Sequence, residues 1–278
     1  MEVKGLMGGL YRISEWVMRF SIINLLWLVC SIPFIYFFVS AMFIDVEVQS
    51  MSELFIYFIP AVIVAPFTLF PATAAAYGVA RKWVMGDEDV PLLKTFFTNY
   101  KENYKKSMLG GLFFLFMFAI LVVNYRFYAT QENKLQFVSF IFIAFFIIWV
   151  VTVCHFFSIL VHFHMKFWQI FKNALLLAIG RPLTSVAVLL SNALILYIAF
   201  TKFNFFLVIF FMASIIAYVN FWQFYRVFRN IQVEYDQRKE SEQEEAEESA
   251  EAAKAEVDAS NDTDRTDDGN KEDKLPKT

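Results

Sequence analysis

The stretch "PATAAAYGVARKWVMGDED", residues 71–89, changes from small apolar residues to charged ones within about one helical turn. Lysine and arginine enter hydrocarbon only at high cost, and tryptophan is enriched where a membrane meets water. Arg81-Lys82-Trp83 is therefore typical of a border between membrane and cytoplasm. Residues 71–80 would then be the end of a membrane-spanning helix.

Small residues before this border repeat at helical spacing. Ala72 and Ala76 are four residues apart, as are Ala74 and Gly78. Small side chains at this spacing let two helix backbones approach closely in lipid. We interpret the repeat as a static packing surface, and a sliding or gating contact is the alternative.

The composition extends this reading to most of the chain. Of 278 residues, 58% are hydrophobic and 18% are charged, whereas soluble domains carry about 25% charge. Apolar runs long enough to cross hydrocarbon, about 20 residues each, occur six times, at about 21–44, 54–80, 107–124, 136–161, 183–200 and 203–225. We predict an all-α, polytopic membrane helical bundle of about six transmembrane helices within residues 21–233, with interfacial cytoplasmic helices.

The distribution of cations predicts the orientation of these spans. If residues 1–20 form a cytoplasmic N-terminal segment, the inside segments hold 14 lysines and arginines and the outside segments hold three. Cytoplasmic loops carry the excess of Lys and Arg in membrane proteins. We therefore expect a multi-pass membrane protein with both termini in the cytoplasm.

The C-terminal segment 234–278 differs from the rest of the chain. It has 17 acidic and seven basic residues, and no aromatic residue follows Tyr235. Such a composition cannot bury enough apolar surface to fold alone. We predict an acidic, disordered cytoplasmic tail that acts as a spacer or folds back on the basic loops.

Two cytoplasmic segments have an amphipathic pattern. In "PLLKTFFTNYKENYKK", residues 91–106, a lysine stripe lies beside an aromatic stripe, and Asp89 stands at the expected N-cap. Residues 167–175, "FWQIFKNAL", echo part of this pattern. Such helices suit the surface of anionic lipid, or the docking of a partner protein.

Span two contains Pro60, Pro66 and Pro71. Each proline removes a helical hydrogen bond, and irregular backbone is tolerated in a membrane only where protein or water satisfies it. We expect span two to face the bundle interior and to be kinked or broken. A kinked packing helix and a broken helix that marks a binding site are both open interpretations.

Neutral polar residues interrupt several spans. Their amides and hydroxyls join helices or line a path for a neutral sugar; they are Asn24, Thr184, Ser191, Asn192, Asn220 and Gln223, with Asn124 at a rim. Cys30, Cys154 and His155 also lie in spans, and we interpret them as structural. The sequence offers neither a phosphate-binding GxxxxGK[ST] loop nor HExxH, so we predict no catalytic residues, no metal site and no cofactor.

Four stretches resemble the YesL-like family of bacterial integral membrane proteins, also called DUF624. These are "NLLWLVCSIP" (24–33), "PATAAAYGVARKWVMGDEDVPLLKTFF" (71–97), "KENYKKS" (101–107) and "NALLLAIGRPL" (173–183). The resemblance implies a multi-pass protein of the bacterial plasma membrane, of a class often encoded beside carbohydrate-uptake genes, and the family has no established activity. The resulting candidates for family motif and interface are Asn24, Trp27, Pro33, Pro71, Ala72, Thr73, Arg81, Lys82, Trp83, Lys101, Asn103, Lys172, Asn173, Arg181 and Pro182.

These observations favour a non-enzymatic accessory or assembly component associated with carbohydrate uptake. Its expected partners are the lipid bilayer and a carbohydrate-uptake permease or another membrane protein, and we expect no nucleic acid. The alternative is an autonomous transporter or channel for a neutral solute such as a sugar. A membrane enzyme or sensor is a third class, for which no cluster of reactive residues is present in the sequence.

Overall fold

The computed structural model describes residues 6–43, 51–130, 134–201 and 206–268. These residues are helical almost throughout and include no strand, so the predicted all-α helical bundle is confirmed. The helices are α1 (Leu6–Cys30), α2 (Ile32–Met42), α3 (Met51–Val64), α4 (Leu69–Val84), α5 (Leu92–Ala129), α6 (Ser139–His162), α7 (Phe167–Gly180), α8 (Pro182–Thr201), α9 (Phe206–Phe210) and α10 (Met212–Asp268). A short 3-10 helix, Lys134–Val138, precedes α6.

The first predicted span, 21–44, is two helices rather than one. α1 begins earlier than expected and ends at Cys30, and α2 starts directly after Ser31. Pro33 stands in the first turn of α2, where its missing N–H costs nothing. Residues 1–5 and 44–50 lie outside the described part of the chain.

The second predicted span is broken, as the prolines indicate. α3 and α4 meet at a bend of 49° across Ala65–Thr68. Pro66 lies in this break and is buried. The hydroxyl of Tyr104 donates to the Phe67 carbonyl at 3.2 Å, and this is the carbonyl that Pro71 leaves without its helical donor.

Fewer described helices than the six predicted are long and apolar enough to span a membrane. Four described helices are long and apolar enough to cross a membrane, or five if the bent pair α3–α4 is one span. The sixth expected span, 203–225, falls on α9 and the first part of α10, which are separated at Phe211. It is not among the helices that qualify, and residues 203–205 lie outside the described ranges.

The segment 91–106 is not a separate interfacial helix. It forms the first part of α5, which continues through the expected third span to Ala129. Nothing between Tyr104 and Gly110 ends a helix, so the basic segment and the apolar one share a single axis. Pro91 is the N-cap residue, and Asp89 forms an ion pair elsewhere instead of capping the helix.

α7 does form a separate amphipathic helix. One face is buried and carries Ile170, Ala174 and Ala178. Trp168 and Ile179 are exposed. This arrangement fits the sequence pattern of residues 167–175, while its contact with lipid or with a partner stays a prediction.

The chain divides into two units, Met1–Tyr225 and Arg226–Thr278. In the second unit the backbone is helical as far as Asp268, whereas we expected the tail from Glu234 to be disordered. Ala, Glu, Gln and Lys are strong helix formers, and this composition accounts for the helical backbone. Residues 269–278 lie outside the described ranges.

The core of the first unit is built around α4. Its small residues are buried, including Ala72, Ala74, Ala75 and Ala76. The bundle also uses glycines for close approach on α5: a Cβ added at Gly111 would lie 2.8 Å from the backbone Cα of Pro66. The broken segment between α3 and α4 therefore rests directly on α5.

We predict that Gly111→Ala destabilises the bundle, because the added methyl group must displace the backbone at Pro66. Overpacking of this kind costs about 1–3 kcal/mol. Gly9→Ala is the matched control, because a Cβ there has no heavy atom within 4 Å. Thermal unfolding of both variants in lipid nanodiscs tests this, and equal transition temperatures would contradict the predicted contact.

Candidate functional site

The membrane border predicted at Arg81-Lys82-Trp83 is joined to α1 by ion pairs. Arg19 is buried and bonds to Glu15, to the side chain of Asp89 at 2.7 Å and to the carbonyl of Glu88 at 2.6 Å. A guanidinium group has five donors in a fixed fork, so it can serve several acceptors at once. Arg19 thus attaches α1 to the loop that precedes α5.

Aromatic rings cover this ion-pair cluster. Trp83 packs edge-to-face on Trp16 at 5.5 Å and on Phe20 at 5.3 Å between ring centroids. Tyr218 on α10 contacts the same two rings at 6.0 and 5.6 Å. The guanidinium carbon of Arg19 lies 5.4 Å from the centroid of Trp16, within the range of a cation–π contact. Trp83 therefore packs α4 against α1, and Tyr218 packs α10 against the same two rings of α1.

The other charged candidates at this border, Arg81 and Lys82, lie outside the ion pairs of Arg19. Lys82 pairs with Asp87 at 3.3 Å, and Arg81 is half-buried. Deeper in the bundle, the indole N–H of Trp27 donates to the hydroxyl of Thr73 at 3.0 Å, which joins two of the candidate residues. Pro71 and Ala72, the two residues before Thr73, are buried in α4.

Asn24 connects α1 to the break between α9 and α10. Its amide nitrogen donates to the carbonyls of Val208 and Ile209 at 3.0 and 2.6 Å. Its amide oxygen accepts from the backbone N–H groups of Ala213 and Ser214 at 2.8 and 3.2 Å. One buried side chain thus satisfies four backbone groups that the break leaves unpaired.

A second group of polar side chains, buried or half-buried, joins α4, α6, α8 and α10. We call it the polar cluster and define it by six residues: Tyr77, Cys154, Ser191, Asn192, Asn220 and Gln223. The amide of Asn220 donates to the hydroxyl of Tyr77 at 2.8 Å and accepts from Asn192 at 3.0 Å. The Asn192 amide also lies 3.6 Å from the sulfur of Cys154. Gln223 donates to the hydroxyl of Ser191 at 2.9 Å.

Not every polar atom in this region has a partner. Among the described residues, the side-chain oxygens of Asn192 and Gln223 are buried and accept no hydrogen bond. The Nε2 atom of His155, the residue after Cys154, is likewise buried without a partner. Burying an unsatisfied polar group costs about 1–3 kcal/mol, so the unpaired oxygens of Asn192 and Gln223 require a physical explanation.

The remaining candidates do not gather at one place. Lys101, Lys172 and Asn173 are exposed, and Pro33 is exposed on α2. Asn103 bonds within α5, to the carbonyl of Asn99 at 3.1 Å. Arg181 and Pro182 stand where α7 ends and α8 begins. In the described part of the chain, no three His, Cys, Asp or Glu side chains are grouped in a way that would hold a metal ion.

Sequence reasoning missed Arg19, Tyr77 and Tyr104 as organising residues. Arg19 stands among apolar residues close to the expected first span, and an arginine there needs an anionic partner. The prolines of span two imply that an outside donor must reach a freed carbonyl, and this requirement points to a residue such as Tyr104. Nothing in the local sequence marks Tyr77, whose partner lies 143 residues away.

The fold and its interior are those of an all-α bundle with several helices apolar enough to span a membrane. Residues 20–125 match a family of proteins of unknown function, DUF624. The resemblance of this chain to the YesL-like DUF624 family is thereby confirmed.

Three similar proteins come from Bacillus subtilis (strain 168), and each is described as uncharacterised. YteU is 28% identical over 84% of this chain and 90% of its own length. YesV is 32% identical over 47% of this chain and 64% of its own length. YesL is 24% identical over 86% of this chain and 97% of its own length. No solved structure matches the chain.

We predict that Asn24→Leu strongly destabilises the bundle, since it leaves two N–H and two C=O groups unpaired in a buried position. At about 1–3 kcal/mol for each of the four unsatisfied groups, the total loss should be at least about 4 kcal/mol. Asn124→Leu is the matched control, because Asn124 bonds only to the Ile120 carbonyl of its own helix. Heat-induced unfolding in nanodiscs measures both, and an unchanged transition for Asn24→Leu would contradict its role at the break.

Proposed function

We propose that the protein is a non-enzymatic component of the bacterial plasma membrane that docks on a partner membrane protein and assists carbohydrate uptake. The association with carbohydrate uptake comes from the resemblance to the YesL-like family. The observation that carries the docking is an apolar groove of about 300 Å³ between α5 and α6. Its lining residues are Phe118, Leu121, Val122, Tyr125, Phe142, Ile143 and Phe146.

The groove suits a transmembrane helix of a partner. Its walls are apolar and mainly aromatic, and Tyr125, Ile143 and Phe146 remain at least 40% exposed. Aromatic rings give a large contact area with few rotatable bonds. Because lipid tails are as apolar as leucine, helix association in a membrane depends on such shape-specific packing.

The proposed topology places both termini in the cytoplasm, and this requires that 203–225 crosses the membrane as a sixth span. A reporter active only in the cytoplasm, inserted at Gly86 in one fusion and after Glu234 in another, should be active in both. If the chain has five spans, the reporter after Glu234 lies outside and is inactive. A fusion within 45–50 is the control for the outside face.

We predict that a photo-crosslinking amino acid at Phe146 in the groove captures a specific partner in native membranes. The matched control is Val186 on α8, which is also exposed and apolar. A carbohydrate-uptake permease captured from Phe146 and not from Val186 is the expected result. Equal capture from both positions, or capture of lipid alone, would contradict docking in the groove.

Transport of a neutral solute by the protein itself is the second candidate, and the polar cluster favours it. The break between α3 and α4, in contrast, is closed by the Tyr104 hydroxyl and so supports a packing role. Solute flux into proteoliposomes that contain only this protein distinguishes the two functions. Flux without a partner would place the protein among autonomous transporters.

A further inference from the structure

We infer that the polar cluster is a water-accessible binding site for a neutral ligand that donates O–H hydrogen bonds to the amide oxygens of Asn192 and Gln223. The inference goes beyond the proposed function, because a docked accessory protein and an autonomous transporter can each hold such a ligand. The ligand class covers water and the hydroxyl groups of a polyol such as a sugar.

The unpaired oxygens lie on two facing helices. Asn192 on α8 and Gln223 on α10 each use the amide nitrogen in a bond to the opposite helix, toward Asn220 and Ser191 respectively. Each leaves its oxygen buried without a donor. An amide oxygen that accepts nothing is stabilised only when a donor is supplied from outside the protein.

Exchanging the oxygen and nitrogen positions of the side-chain amides still leaves one polar atom of Asn192 unpaired. In that arrangement Tyr77 donates to Asn220, and Asn220 donates to Asn192. Both hydrogen bonds remain, and only their donors and acceptors are exchanged. Asn192 is then left with an unpaired N–H in place of an unpaired oxygen. A hydroxyl group satisfies either case, because it both donates and accepts.

α8 is packed less tightly than α4. Only three of its 20 side chains are buried, Ser185, Val188 and Ala199, whereas α4 buries 11 of 16. Average interhelical polar contacts contribute only about 0.6 kcal/mol each, so a hydroxyl group of a ligand can compete with the amide contacts of α8 at low cost.

The chemistry of the polar cluster selects a neutral ligand. All six members are uncharged at neutral pH, and no Lys, Arg, Asp or Glu is among them. A charged ligand held there in low dielectric would lose its hydration and find no opposite charge among the six residues. Hydroxyl groups carry donors without a charge, and Tyr77 adds an aromatic ring at the base of the cluster.

Cys154 gives a direct test, since its thiol is part of the polar cluster. In Cys30→Ser, Cys154 is the only cysteine of the chain. Neutral hydroxyethyl methanethiosulfonate reacts with thiolates, which form only where water reaches the sulfur. We expect Cys154 to react at least about tenfold faster than a cysteine that faces lipid, a ratio equivalent to about 1.4 kcal/mol.

Two single-cysteine controls bracket this rate. Leu190→Cys in a background with Cys30→Ser and Cys154→Ser places a thiol on the exposed apolar face of α8. Asp87→Cys in the same background places one in a loop and gives the upper limit. A Cys154 rate no higher than that of Leu190→Cys overturns the inference, whatever the crosslinking result at Phe146.

Added polyols identify the source of the hydroxyl group. Reaction of Cys154 is measured with glycerol, glucose or a disaccharide present. Protection by one of them supports a polyol ligand, and reaction without protection supports water as the ligand. Gln223→Met keeps the length of the side chain and removes the oxygen. This variant should slow the reaction of Cys154 or abolish its protection by the polyol. An unchanged rate and unchanged protection would exclude Gln223 from the site.

Discussion

A backbone group without a hydrogen-bond partner is more costly in hydrocarbon than anywhere else in a protein, and this constraint organises the bundle. Its helices are interrupted between Val64 and Leu69 and again at Phe211. Side chains from other helices supply the missing partners: Tyr104 from α5 at the first break, and Asn24 from α1 at the second. α1 and α5 thus fix the positions of the broken helices that pack beside them.

The features that depend on local chemistry could be predicted from the sequence. The prolines predicted the break in span two, and the small residues of α4 predicted a close helix contact. Pro33 carried the same information about the interruption at Ser31, although the apolar run concealed it. The continuity of α5 was also readable, because no breaking residue separates its basic and apolar parts.

Features that depend on distant partners could not be predicted. The break at Phe211 has no proline or glycine, and it is stabilised by Asn24, which lies almost 190 residues away along the chain. Asp89 has the sequence context of an N-cap, yet it bonds to Arg19, 70 residues earlier. A buried guanidinium has more to gain from a carboxylate than a helix N-terminus has, and this long-range requirement determines the structure of the loop.

The distinction between an amide that joins helices and an amide that binds a ligand rests on how its hydrogen-bonding capacity is used. Asn24 uses both its oxygen and its nitrogen, so it is fully explained as a structural residue. Asn192 and Gln223 use only their nitrogens, and half of their capacity stays buried and unpaired. α6 contributes Phe146 to the groove and Cys154 to the polar cluster, eight residues apart or about 12 Å along the axis. Substitutions on α5 and on α10 therefore separate docking from ligand binding, and this distance also keeps the probes at Phe146 and Cys154 on α6 apart.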